Sequence, residues 1–238
     1  MDNNDKNLYK FTWSKFFKHW NVVRHHRKYI RQYCFKAGLY RQGLLHDLSK
    51  YHPTEFLESV KYFTGDHSPI DECKKHKGYS AAWMHHKSHN KHHREYWTDN
   101  YDRGTTCIKM PWKYALECFC DYLGAGKAYN NGIDDWRKEI KWWTSNRSNM
   151  KIHPDTLFLL DCLFVIYLRD DDSFLKYDDL MSELKWSYEC KDAAQFELAN
   201  TVYQYFNELQ DWDTLDELWD MIGRPKDERY PFLFEREV

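Results

Sequence analysis

From Trp13 onward the chain sets Trp13, Phe16, Phe17, Trp20, Val23, Ile30, Cys34 and Ala37 at three- and four-residue steps, then stops at Gly38. That spacing lays one apolar face along a 3.6-residue helix and ends it on a residue suited to a C-terminal cap, predicting a long helix over about 11–37. A helix this long with one sticky face commits its neighbours to packing against it. With 18% aromatic residues but only 9 Gly and 6 Pro, the chain has many large side chains to bury and few turn signals. Alternating strand patterns are scarce, so the expected class is all-α.

Further helices are predicted after Pro53, over 78–90, from Pro111 to about 129, from Asp134 to 144 and from Asp155 to 168, with proline where a first turn tolerates it. The polar stretch from Thr98 to Lys109 reads as a connecting loop, and RDDD at 169–172 marks a boundary. Beyond it, 176–222 gives two or three amphipathic helices rich in Asp, Glu, Leu, Trp and Tyr, without a histidine. The expected organisation is a helical domain over 1–170 followed by a C-terminal helical extension over 171–238.

The formal charge of -2 supplies no global field for nucleic acid or an anionic membrane. One basic stretch, RHHRKYIR at 24–31, offers few phosphate contacts and hence weak, salt-sensitive binding, so nucleic acid is not the expected partner. Seven Cys without a C-x-x-C pair suggest neither a disulfide framework nor a zinc ribbon and fit a reducing compartment. The N-terminus lacks a signal-peptide apolar stretch, and TLFLLDCLFVIYL at 156–168 is too short for a bilayer and contains Asp161. A cytoplasmic protein is expected.

Five of the 13 His fall in AAWMHHKSHNKHHREYW at 81–97: His85, His86, His89, His92 and His93. Imidazole is the commonest metal ligand and titrates near neutral pH, so such a cluster means a metal site, a pH-sensitive surface or a polar helix face. On one continuous helix His86, Asn90 and His93 share a face, and His85, His89 and His92 share the adjacent one. If the helix instead ends at Asn90, which tolerates a left-handed cap, His92 and His93 lie in a loop and either can turn inward.

Elsewhere, GLLHDLSK at 43–50 sets His46 beside Asp47, where an imidazole and a carboxylate can meet one cation. His26 falls near the buried face of the first helix. Asp121, in ALECFCDYLGAG one turn after Glu117, is a carboxylate among apolar neighbours that needs a partner, since burying an unpaired charge costs several kcal/mol.

The order His, His-Asp, His cluster, Asp on helical sequence resembles the HD phosphohydrolase superfamily over about residues 20–130. LLHDLSK is similar to its leucine-rich HD-x-x-K segment, HHRKYI to its first His, and CFCDYLGA to its final Asp helix. Within that group the chain looks closest to an uncharacterised bacterial and phage family with the pattern HDLSK, S-P-x-E-F, then A-W, a His, N-x-H-H and Y-W; here HPTEF at 52–56 has His in place of Ser.

The resemblance implies an HD-like bundle in which His26, His46, Asp47 and Asp121 hold one metal, and His86 with His93 or His92 a second, with Asn90 as support. His85, paired with His86, is an alternative ligand, while His89 is left to solvent. Imidazoles and carboxylates without thiolate suit Mn, Fe, Co, Ni or Zn. The implied activity is hydrolysis of a small phosphate ester, a nucleotide among them. Lys50 is then a candidate phosphate contact, and Glu55 a candidate to protonate the leaving group or orient water. Arg27, Arg41 and Arg94 are further phosphate candidates. Two other readings keep the ligands: a di-iron oxygenase, and a non-catalytic interaction protein stabilised by metal.

Overall fold

The computed structural model describes residues 9–129, 132–133 and 135–230. The predicted first helix is α1, Trp13–Lys36. The Thr12 side chain accepts from Lys15 N at its start, and Gly38, at φ 70°, follows its end. A short α2, Tyr40–Leu45, leads into the His46-Asp47 turn, and α3, Pro53–Tyr62, starts with Pro53 in its first turn under a His52 cap.

The helix predicted over 78–90 is α5, Ala81–His89, capped by Ser80, and a helix that was not predicted precedes it: α4, Pro69–Lys77, ended by Gly78 at φ 80°. The 98–109 segment departs from its loop reading. Thr98–Tyr101 (β1) and Gly104–Cys107 (β2) form an antiparallel hairpin, with Gly104 at φ 147° closing a tight connection. So short a pair carries too few residues for a period-two pattern to stand out from loop composition.

Next come α6, Trp112–Tyr129, and α7, Trp136–Asn146; Asp134, the expected start of α7, lies outside the described residues. Then α8, Pro154–Asp170, precedes α9, Asp178–Glu189, α10, Ala194–Glu208, and α11, Trp212–Ile222. The all-α class is what these eleven helices and one small hairpin form.

The apolar run at 156–168 becomes the hub. Phe158 to Ile166 on α8 are inaccessible to solvent, as expected of a helix apolar all round, and α8 packs against α6, α10 and α11. Asp161 sits within it on two arginines from flanking segments, 2.6 Å from Arg147 Nη2 and 2.8 Å from Arg224 Nη1, and also accepts from Trp143 Nε1. That pairing makes the buried charge tolerable. At the other side of the core α1 lies along α6, and Ile30, Tyr33 and Cys34 of the one share a buried cluster with Leu116, Phe119 and Leu123 of the other. The α1–α6 seam continues outward into the polar cluster described next. No described helix is long and apolar enough to cross a membrane.

Candidate metal centre

Five segments converge on Asp47. It is a non-glycine residue at φ 53°, in the left-handed region that Asp and Asn tolerate best, and it is 1% exposed. Arg27 secures the turn before it by donating to the carbonyls of His46 and Leu44 at 2.8 and 3.0 Å. A guanidinium expected as a phosphate contact is thus used on backbone.

The two Asp47 oxygens face different groups. Oδ2 lies 2.8 Å from His26 Nε2 on α1 and 3.4 Å from His46 Nε2, and Asp121 Oδ1 on α6 stands 3.4 and 3.5 Å from the same two nitrogens. Oδ1 lies 3.4 Å from both His86 Nε2 on α5 and His92 Nε2, while His93 Nε2 faces His86 Nε2 at 2.8 Å. Helix α5 ends at Asn90 in an extended conformation, φ -118° and ψ 104°, so no left-handed cap forms. His92 and His93 then leave the helix together and both turn inward.

Four buried atoms at the centre have no hydrogen-bond partner: His46 Nε2, His92 Nε2, Asp47 Oδ1 and Asp121 Oδ1. Buried polar atoms in native proteins are nearly always satisfied, and converging lone pairs of nitrogen and carboxylate oxygen are what a cation satisfies. His26, His46, Asp47 and Asp121 can together hold a metal ion, as can Asp47, His86, His92 and His93, each set offering ligand atoms within 4.8 Å of one another.

Electrostatics agree. Burial opposes a charged His46, but Asp47, Asp121 and Glu117 outweigh it and raise its pKa well above normal. Carboxylates that draw a proton there also draw a cation. Burial likewise opposes ionised Asp47 and Asp121, yet His46, foremost among the neighbouring cations and donors, holds both carboxyls well down. Burial and the nearby Lys50 charge push His26 down to about 4, and burial with the charges of His92 and His86 depresses His93. Neutral imidazoles are the form that ligates.

Around this centre, Lys50 Nζ stands 2.7 Å from Asp47 Oδ2. Glu55 spans two imidazoles, with Oε2 2.8 Å from His86 Nδ1 and Oε1 2.6 Å from the half-buried His85. Asn90 Nδ2 donates to Ser49 Oγ and His86 O. His89 stacks on His85 at the surface. Of the remaining histidines, His52 and His153 cap helices, His76 meets Tyr62 and His67 bonds Asp66 and Glu72, whereas His19 is buried beside the site.

Glu117, which the motif reading passed over, reaches His46 Nδ1 at 2.9 Å and His92 Nδ1 at 3.2 Å through one oxygen. Its position four residues before Asp121 puts it on the same face of α6, a signal already present in the sequence.

Two cavities meet the centre. One of about 730 Å³ reaches His93 and Asp121 and is walled by Trp83, Tyr122 and Trp142 with Lys74, Arg94 and Lys138. A smaller one of about 210 Å³ reaches His26, His86, Lys50 and Glu55. Arg94 is paired with Glu95 at 2.9 Å on the larger wall, while Arg41 lies elsewhere, at a separate pocket.

The fold and site define an all-α protein with a buried histidine and carboxylate cluster able to hold metal, open to a cavity. The chain belongs to DUF5662, a family of unknown function whose model matches residues 15–164, a span that includes every residue of the cluster. Comparison with curated proteins and with solved structures found no match.

Proposed function

We propose that the chain is a metal-dependent phosphohydrolase acting on a nucleotide or other small phosphate ester at a binuclear centre. The observation that carries the reading is the division of Asp47 between two ligand sets, Oδ2 toward His26 and Oδ1 toward His86 and His92. A carboxylate so placed suits a bridge between two divalent ions of Mn, Fe, Co, Ni or Zn. The resemblance of the HDLSK and histidine-cluster motifs to HD phosphohydrolases supplies the reaction class. Two such ions, held by His26, His46, Asp47 and Asp121 and by Asp47, His86, His92 and His93, would supply a water of lowered pKa and neutralise charge on phosphoryl oxygens.

The chain's own residues have definite tasks in this scheme. Glu117 fixes the His46 and His92 rings with Nε2 inward, and Glu55 does the same for His86 through Nδ1. Lys50 offsets the charge of Asp47 and lines the smaller cavity, where it can meet a phosphate oxygen as a point charge. Lys74, Arg94 and Lys138 on the larger wall suit an anionic substrate, and Trp83, Tyr122 and Trp142 a flat one.

The test is metal analysis of untagged protein followed by phosphate release from a panel of nucleotides, with Asp47→Ala as control. The expected result is stoichiometric metal and turnover that persists without oxygen and disappears in the variant. Absence of metal after both aerobic and anaerobic purification, or turnover that requires oxygen, overturns the proposal.

A further inference from the structure

A third concavity, of about 250 Å³, lies behind the cluster and meets the outer edges of His46 and His92. Its lining includes Arg41 of α2, Lys91 from the loop after α5, and Lys113 and Tyr114 from the first turn of α6, with Glu117 at its base. It shares no lining residue with the two cavities that meet His93 and Asp121. Access from this side therefore does not pass through the candidate substrate space.

Charge sets the pocket apart. Three cationic side chains line it, and Glu117, its one acidic lining residue, is already engaged by two imidazoles. Among the described residues no carboxylate lies within ion-pair distance of Arg41, Lys91 or Lys113. Aromatic rings accompany both lysines: Lys113 Nζ is 5.0 Å and Lys91 Nζ 5.8 Å from the Tyr114 centroid, and Lys91 Nζ is 5.5 Å from that of Tyr96. Like charges held in one concavity focus a positive potential that a mobile anion relieves.

We propose that this pocket binds an oligophosphate group, two or three linked phosphoryl units, at a site separate from the metal centre. Three cations match the charge of such a group better than that of a single phosphate. Arg41 brings a guanidinium able to grip two oxygens at once, and the lysines bring point charges. The volume is below the roughly 300–1,000 Å³ of sites that enclose a drug-sized ligand, so the anionic group is held and whatever it is attached to projects into solvent. The inference does not depend on the cluster being a phosphohydrolase.

Inorganic pyrophosphate is the probe, titrated calorimetrically into the metal-loaded protein. Two sets of substitutions separate the pocket from general surface charge, both built on side chains away from the core: Arg41→Ala with Lys91→Ala and Lys113→Ala, and Lys151→Ala with Lys185→Ala, two exposed lysines that line none of the three cavities. Binding is expected to weaken at least tenfold in the first set and to stay within twofold of wild type in the second. No binding by the wild-type protein, retention of affinity in the first set, or an equal loss in the second overturns the proposal.

Discussion

Glu117 Oε1 lies 2.9 Å from His46 Nδ1, on the side of the ring away from Asp47 and Asp121. The same oxygen reaches His92 Nδ1 at 3.2 Å, so one carboxylate sets the tautomer of a candidate ligand in each half of the centre. Burial works against its charge, but the hydrogen bonds from His46 and His92 hold the carboxyl below its usual range. Glu117→Gln keeps the shape and removes the charge. Metal affinity measured against a competing chelator is expected to fall about 10- to 100-fold with helicity unchanged. Wild-type affinity in the variant would remove Glu117 from the site.

Asp47 combines a ligand's chemistry with a backbone requirement at φ 53°. Asn tolerates the left-handed region nearly as well, whereas Ala does not, at a cost on the order of 1 kcal/mol. Asp47→Asn and Asp47→Ala should both lose stoichiometric metal, and in chelator the Ala variant should melt below the Asn variant. Equal melting temperatures would mean that the turn does not need its residue type.

What the sequence made legible follows from how local each signal is. The α1 helix, its Gly38 end and the His46-Asp47 pair are read within a few residues of themselves and stand where their spacing put them, but of the apolar face only the part from Val23 onward is buried, while Trp13, Phe17 and Trp20 are exposed. Helix α4 carried signals as clear, with Ser68, Pro69 and acidic residues at its start and Gly78 at its end, but its weak apolar face gave periodicity little to detect. The inward turn of His92 and His93 is settled by the extended backbone at Asn90, by the Asp47 and Glu117 carboxylates that meet His92, and by the His86 ring that meets His93. Glu117 looked like an ordinary helix charge because its partners lie 71 and 25 residues away in sequence. Arg41 and Arg94 looked equivalent until the fold assigned them to different pockets.

His19 provides a pH test outside the candidate ligands. Its ring packs near Phe56 and Phe63, with centroids 5.1 and 5.5 Å away, and Nδ1 has no partner. Burial, aided by Lys50, pushes its pKa down to about 4, against about 6.5 in an unfolded chain. The native state then binds fewer protons than the unfolded state between these values. Stability is therefore fully present above about pH 6.5 and declines as pH falls toward 4. By pH 4.5 this one residue accounts for about 2–3 kcal/mol of loss. His26 acts in the same direction and His46 in the opposite one, so the test is a difference. In chelator, the drop in unfolding free energy from pH 7 to 4.5 should shrink by that amount in His19→Leu. An unchanged drop would show that His19 titrates normally.

Gly124 ties the packing of the core to the geometry of the site. A Cβ there would stand 2.3 Å from Ile30 Cγ1 and 3.1 Å from Ile30 N, so α1 and α6 touch backbone to backbone at this point. Ile30 is one turn beyond His26, and Gly124 is three residues beyond Asp121. The close approach is thus what brings His26 Nε2 to 3.4 Å from Asp121 Oδ1. Gly124→Ala must push the helices apart. The overpacking costs about 1–3 kcal/mol, against roughly 1 kcal/mol gained in helix propensity. Both melting temperature and metal affinity should fall, because ligands on the two helices separate together. Gly126→Ala is the control: the three atoms nearest the new Cβ all belong to the Glu139 side chain, whose carboxylate can swing away. It should leave metal affinity intact. Equal behaviour of the two variants would show that the α1–α6 contact does not set the spacing of the candidate ligands.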